Sequence, residues 1–470
     1  MRRLPALGLL LVSAAAIAAR RPDVFTRPQF WAEDGMEWYA RAYNEPWLAN
    51  LLAPYGGYLQ LVPRLVGIAS QLVPFSRAPL LMAIVALAVQ SIAPVFLITD
   101  RFAWAVPRRA VRILLAMIVI AVPNLMEVHV NLTNVHVHLG FLALLVVIAE
   151  PRGERAWRVF DVAVLLLSGF SGPFCLLLSP VAAVAWWHRR DRWSLVRLCC
   201  VAVPALIQLM ELSPRATPPS DPTSRGFAIR APFTPDGATP TNLLRIFGGQ
   251  IVAGALLGWH VYVGLYAGAF AAHPWLPLLL GLLGVAFLAR AARVTDNFAL
   301  RLLLLYATLH LSAGLASPII IGDRPPWELL AIPGAGQRYY YTMTLAFLAT
   351  LVWTVAADPR HAMRVGAALL LVLATSVGVY GDWQLPPRED FDFPAQAERF
   401  AQSPAGEVVR IPTPPTPFAM VLVRGCEEPY VPVVREGLDR SVVGEAETTV
   451  NPRRERRLRS RRACPDRSGG

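Results

Sequence analysis

The chain has no lysine, so its 44 strongly basic residues are all arginine, and charged residues of both signs make up only 16 % of it against 55 % hydrophobic. A water-soluble chain of 470 residues has nowhere to bury so large an apolar surplus. This excludes a soluble enzyme and equally a disordered protein. Cysteine is scarce: five in all, with Cys175, Cys199 and Cys200 inside apolar runs. Neither metal-ligand spacing nor a disulfide framework can be drawn from them, and only Cys426 and Cys464 are placed to pair. Missing lysine with abundant Arg, Ala and Pro also fits a GC-rich coding bias, which carries no mechanism. No internal repeat is evident.

A net charge of +12 would suit nucleic acid. The arginines, however, fall between apolar blocks and near the C-terminus, which is a pattern of membrane topology, so no nucleic-acid partner is expected. The apolar runs recur at near membrane-spanning length from Leu4 to Tyr380 and then stop, giving a mean hydropathy of +0.45. The composition describes an all-α polytopic membrane protein in the lipid bilayer.

Arg2 and Arg3 precede the apolar stretch Leu4 to Ala19, which reads as a first span or as a signal peptide; either exports residues 21–57 as an acidic, aromatic external loop. Residues 58–75, interrupted by Pro63 and Arg64, read as an interfacial helix. The arginines at 101–112, 152–158, 189–192, 290–301 and 360–364 then mark inner loops by the positive-inside rule. Spans follow at about 78–98, 112–127, 134–149, 159–170, 173–187, 195–211, 274–290, 302–320, 339–356 and 365–380. That makes about eleven, with the N-terminus inside, the C-terminus outside and the Gly-rich stretch 243–270 lying at the surface or re-entering. Residues 1–380 thus form the membrane domain. Residues 381–443 form a small external segment with two β-prone runs around a Pro-rich turn, GEVVRIPTPPTPFAMVLVR, and residues 444–470 a disordered, dispensable Arg-rich tail.

Polar residues of chemical interest gather on the outer side. Glu33 and Asp34 stand in FWAEDGMEWY, soon after the first span. An adjacent carboxylate pair can supply a general base, Asp34 first and Glu33 second, or one of them can cap the helix that begins near Gly35. MEVHVNLTNVHVHLG clusters Glu127, His129, Asn131, Asn134, His136 and His138 at an outer tip. They line a cavity, or they hydrogen-bond between spans. IPGAGQRYYY sets Arg338 and Tyr339 at the outer mouth of a span, where Arg338 grips a phosphate or anchors among headgroups. Arg64 is a second candidate for the phosphate. The SGFSGPF tip brings backbone close to a ligand or is a plain tight turn.

An acidic residue just after the first span of a polytopic protein resembles the GT-C superfamily of integral-membrane glycosyltransferases, which use polyprenyl-phosphate-linked sugars. The resemblance covers the layout of residues 1–380 and, in motif, the Glu33/Asp34 pair, the Glu127 tip and the Arg338 cluster; the second acidic pair of some members is missing. It implies transfer of a sugar from a polyprenyl-phosphate donor to a glycan, lipid or protein acceptor outside the cytoplasmic membrane. It also implies a divalent metal such as Mg or Mn, if one is used, near Asp34, Glu127 and His129. The rivals are a polysaccharide or lipid transporter or flippase, and a non-catalytic membrane component of glycan assembly.

Overall fold

Residues 3–212, 236–320, 324–416 and 418–425 are described by a computed structural model of the chain. The tail after Gly425, with Cys426 and Cys464, lies outside the described residues, as does most of the Pro/Ser/Thr-rich loop before Asp236.

The chain is helical almost throughout, as its apolar runs predict, and the helices shuttle between two ends of a bundle. At one end the Arg-rich loops meet: Asn297 donates to the Ala105 carbonyl at 2.7 Å, Arg101 to that of Glu150 at 3.0 Å, and Arg290 pairs with Asp358. At the other end Arg20 donates to the carbonyls of Ile120, Val122 and Asp382, joining the end of the first helix to those of the Arg109–Ala121 and last membrane helices. Arg21 and Gln29, in the first loop, reach the carbonyls of Met126, Pro386 and Glu389 at this second end, so the described parts of the first loop, the 122–134 segment and the segment after the last membrane helix meet there.

Among the described residues, seven helices are long and apolar enough to cross a bilayer: Phe75–Ile98, Arg192–Glu211, Pro240–Phe270, Trp275–Val294, Phe298–Ala316, Gln337–Ala357 and His361–Val379. The count of about eleven is therefore corrected. Arg109–Ala121, Val135–Ile148, Arg155–Gly169 and Phe174–Arg189 run for only 13, 14, 15 and 16 residues, and the first helix for 17, where ~20 are needed.

Pro240–Phe270, read from sequence as lying at the surface or re-entering, is one of the seven by length and composition, yet it is not one rod. Gly258 sits at φ 73°, ψ 176° and breaks it, and the Tyr262 hydroxyl packs against Gly249. Thirteen residues of straight helix would hold those two ~20 Å apart, so the chain folds back at Gly258. Asp382 fixes the break by accepting from the amides of Trp259 and Asn124, each at 2.7 Å. Only glycine populates that backbone region, and a Cβ there would meet Asp382 Cγ and the Gly378 carbonyl at 2.8 Å. Gly258→Ala is expected to lower stability by about 1–3 kcal/mol, read as the thermal midpoint of the purified protein; an unchanged midpoint would show that the break tolerates a side chain.

The Val135–Ile148 helix is buried along all 14 residues and forms the axis of the main apolar core with Phe174, Tyr306, Tyr341 and Phe347. After the last membrane helix, Val408–Pro412 and Ala419–Val423 pair as an antiparallel hairpin, Ile411 opposite Met420. Ile411, Met420 and Leu422, fully buried, close a second core with Phe30, Trp38 and Phe400, so the hairpin is docked on the first loop.

Candidate functional site

The site forms where the first loop, the 122–134 segment and the mouth of the Gln337–Ala357 helix converge. Asp34 opens a π-helical turn, Asp34–Tyr39, a geometry frequent at functional sites. No side chain caps that turn. The Asp34 carboxylate reaches across to the second segment instead: Oδ1 accepts from the Thr133 amide and hydroxyl, both at 2.7 Å, and Oδ2 from the Leu132 amide at 3.2 Å. Burial pushes the Asp34 carboxyl up to about 6, against the opposing pull of the Thr133 hydroxyl and the Arg388 charge. Glu33, by contrast, is half-buried, and its carboxylate accepts a long 3.4 Å bond from the Tyr55 hydroxyl and one from its own backbone amide. Burial raises it too, with Arg338 opposing and Asp34 and Glu127 adding to the rise.

Arg338 binds Glu127 through its guanidinium and through its own amide, the latter at 3.2 Å. It also donates to the Tyr339 hydroxyl at 3.2 Å and to the Ile319 carbonyl, and its guanidinium lies 4.8 Å from the Tyr339 ring. Its side chain stays 27 % exposed and that of Glu127 19 %, so this pair faces open space. The segment beneath is knitted through the Glu127 carbonyl, which accepts from Asn131 at 2.7 Å and Asn134 at 3.1 Å, and through the Glu127 amide, which donates to Gln337 at 2.8 Å. Ala32, Asn124 and Val130 flank these segments at φ 45°, 55° and 45°. Such conformations cost energy outside glycine and gather where a site over-determines them.

Three sequence readings change. Arg64 does not reach the mouth: it is fully buried, 2.6 Å from Glu37 and 2.7 Å from Asn50, with its guanidinium 5.0 Å from the Trp38 ring. A buried cation must be compensated, and Glu37 does so, which removes Arg64 from phosphate binding. His129 and His138 do not line an open cavity. His129 bridges Gln90 and the Ile17 carbonyl, and His138 the Val128 carbonyl and the Tyr341 hydroxyl, as contacts between helices. His136 is likewise buried, against the Phe174 ring.

The proposed ligands Asp34, Glu127 and His129 are each committed elsewhere, and among the described residues no three His, Cys, Asp or Glu side chains group as a metal site. The residues present do not fit the metal. The SGFSGPF tip anchors the start of the Leu61–Ala69 helix that follows the first loop: Phe170 accepts from the Leu61 amide at 2.8 Å and Ser171 from the Val62 amide at 3.0 Å.

Sequence reasoning missed Thr133, Gln337 and Arg388. Thr133 lies inside an Asn-Leu-Thr sequon whose Asn131 is buried, and only its distance from Asp34 in space gives it a role. The chain matches no protein-family model and no curated protein.

With its carboxyl raised in the folded state, Asp34 holds a proton between roughly pH 4 and 6 that the unfolded chain releases. Stability therefore falls as pH rises through that window and stays lowered above it, by about 3 kcal/mol at most. The pH dependence of the thermal midpoint in Asp34→Asn should lack this component. Identical slopes in both proteins would contradict the assignment.

Proposed function

We propose that the chain is a membrane glycosyltransferase of GT-C type that moves a sugar from a polyprenyl-phosphate donor to a glycan, lipid or protein acceptor on the outer face of the cytoplasmic membrane. The observation that carries the reading is the junction of the first-loop carboxylates with the Glu127–Arg338 pair at one end of an apolar bundle, produced by the Asp34–Thr133 bonds. The acidic end then faces outward and the Arg-rich end the cytoplasm.

In this reading the acceptor oxygen bonds to the anomeric carbon as the bond from that carbon to the phosphate oxygen breaks. The electron pair leaves on the phosphate, and the acceptor proton passes to a carboxylate. Glu33 is better placed than Asp34 to take it, because Asp34 already accepts three hydrogen bonds and is 4 % exposed. Arg338 offsets the charge that develops on the leaving phosphate. Transfer of labelled sugar from a polyprenyl-phosphate donor in membranes tests the reading, with wild type set against Glu33→Gln and Arg338→Gln. Absence of transfer by the wild type, together with substrate movement across vesicles, would favour a transporter. Cysteines placed at 108, 190 and 360 and probed with an impermeant reagent test the orientation; labelling from outside would reverse it.

A further inference from the structure

We propose that Arg388, carried by the segment after the last membrane helix, is a positioning residue of the carboxylate site: together with Asp34 it clamps the strained 129–133 turn from both sides. The inference rests on the transferase reading only for its effect on turnover.

Arg388 is 8 % exposed, and its guanidinium lies 4.7 Å from the Trp31 ring, two residues before Glu33. It donates to the carbonyls of His129 at 3.3 Å and Val130 at 2.9 Å, and its own amide donates to Asp23 at 3.0 Å. Among the described residues it makes no ion pair at contact distance, so its charge is spent on the turn and on the carboxylates beyond it, Asp34 and Asp23. Asp34 takes the other half of the same turn. The anion collects the amides of Leu132 and Thr133, while the cation collects the carbonyls of His129 and Val130. Between them stands Val130, a β-branched residue at φ 45°. That conformation is costly for such a side chain and persists where neighbours hold it.

Residues 385–391 are themselves tied down. Leu385 donates to the Arg20 carbonyl at 2.8 Å, Arg21 to that of Pro386 at 3.0 Å, and Gln29 to that of Glu389 at 2.7 Å. The cation is thus delivered to a fixed place by a segment whose composition looks like a mere extension. Since the turn carries Asn131 and Thr133, and Asn131 holds the Glu127 carbonyl, loosening it displaces Glu127 and Asp34 together.

The test is a double-mutant cycle on the full chain, purified in detergent, with the thermal midpoint as readout. Asp34→Asn and Arg388→Gln are each expected to lower the midpoint, and the double variant to lower it by clearly less than their sum, because both act through one turn. Strict additivity overturns the proposal. If Arg388→Gln does not accumulate, Trp31→Leu replaces it in the cycle, since it removes the stacking face and keeps the charge, and the same criterion applies. In the transfer assay Arg388→Gln is expected to cost ~10²-fold in kcat with KM unchanged, with part of the loss restored by Arg388→Lys. An unchanged kcat in a folded Arg388→Gln protein also overturns it. A wild type without transfer activity would sink the transferase reading and leave the cycle to decide this proposal alone.

Discussion

Glu33→Gln is expected to insert and fold as the wild type does while turnover in the labelled-donor assay drops ~10²–10⁴-fold, the loss typical of a missing general base. The amide keeps the size of the side chain and its bond to Tyr55, but it cannot take a proton from the acceptor. The pH profile gives a second check. Burial lifts the Glu33 carboxyl above its ordinary range, so activity is expected to be present above that raised value and to fall as pH drops through it. Full turnover in Glu33→Gln would remove the role. If Asp34→Asn abolished turnover while Glu33→Gln did not, the base would be Asp34, and its three hydrogen bonds would then orient a reacting group.

The largest loss of stability is expected far from the site, at Asp161. This carboxylate is completely buried and holds Arg101 at 2.7 and 2.9 Å and Arg197 at 2.7 Å, with the Trp193 indole at 3.0 Å. Asp161→Ala strands two arginines that are each 2 % exposed. Removing one side of such a cluster costs about 3–5 kcal/mol, because the desolvated charges that remain have no counter-ion. Thermal midpoints of purified protein measure it, and Arg27→Ala is the control: the Arg27–Asp390 pair lies at the surface with 59 % and 41 % of its side chains exposed, and is expected to contribute about 0–1 kcal/mol. Equal effects of the two substitutions would mean that burial does not govern these pairs.

Apolar period and arginine placement made the helices and the two ends legible from sequence, since both are local properties of the chain. The span count was not. Arg109–Ala121 and its neighbours read as spans because they are apolar, but their ends are set by Pro123, Gly169 and Pro173 and by what packs around them. The Glu33/Asp34 pair and Arg338 stand out in sequence as charges beside apolar runs. Their separate jobs do not, because the partner that fixes Asp34 is Thr133, 99 positions away, and hydroxyl residues are too common to signal a contact. Arg64 shows the opposite failure. An arginine in an apolar segment suggests a ligand, and only the fold reveals Glu37 beside it. Arg388 was hidden for the reason that makes it interesting: it lies in a polar segment where one more arginine carries no signal.

The Val135–Ile148 helix, buried on every side, bears on how the protein is made. Its 14 residues touch other helices and present no face to lipid, and the two histidines near its start lie against other elements, His136 against the Phe174 ring and His138 against the Val128 carbonyl and the Tyr341 hydroxyl of the Gln337–Ala357 helix. Its stable residence in the membrane is therefore a property of the assembled bundle, and biogenesis has to shelter it until the Gln337–Ala357 helix, some 200 residues later in the chain, has been synthesised.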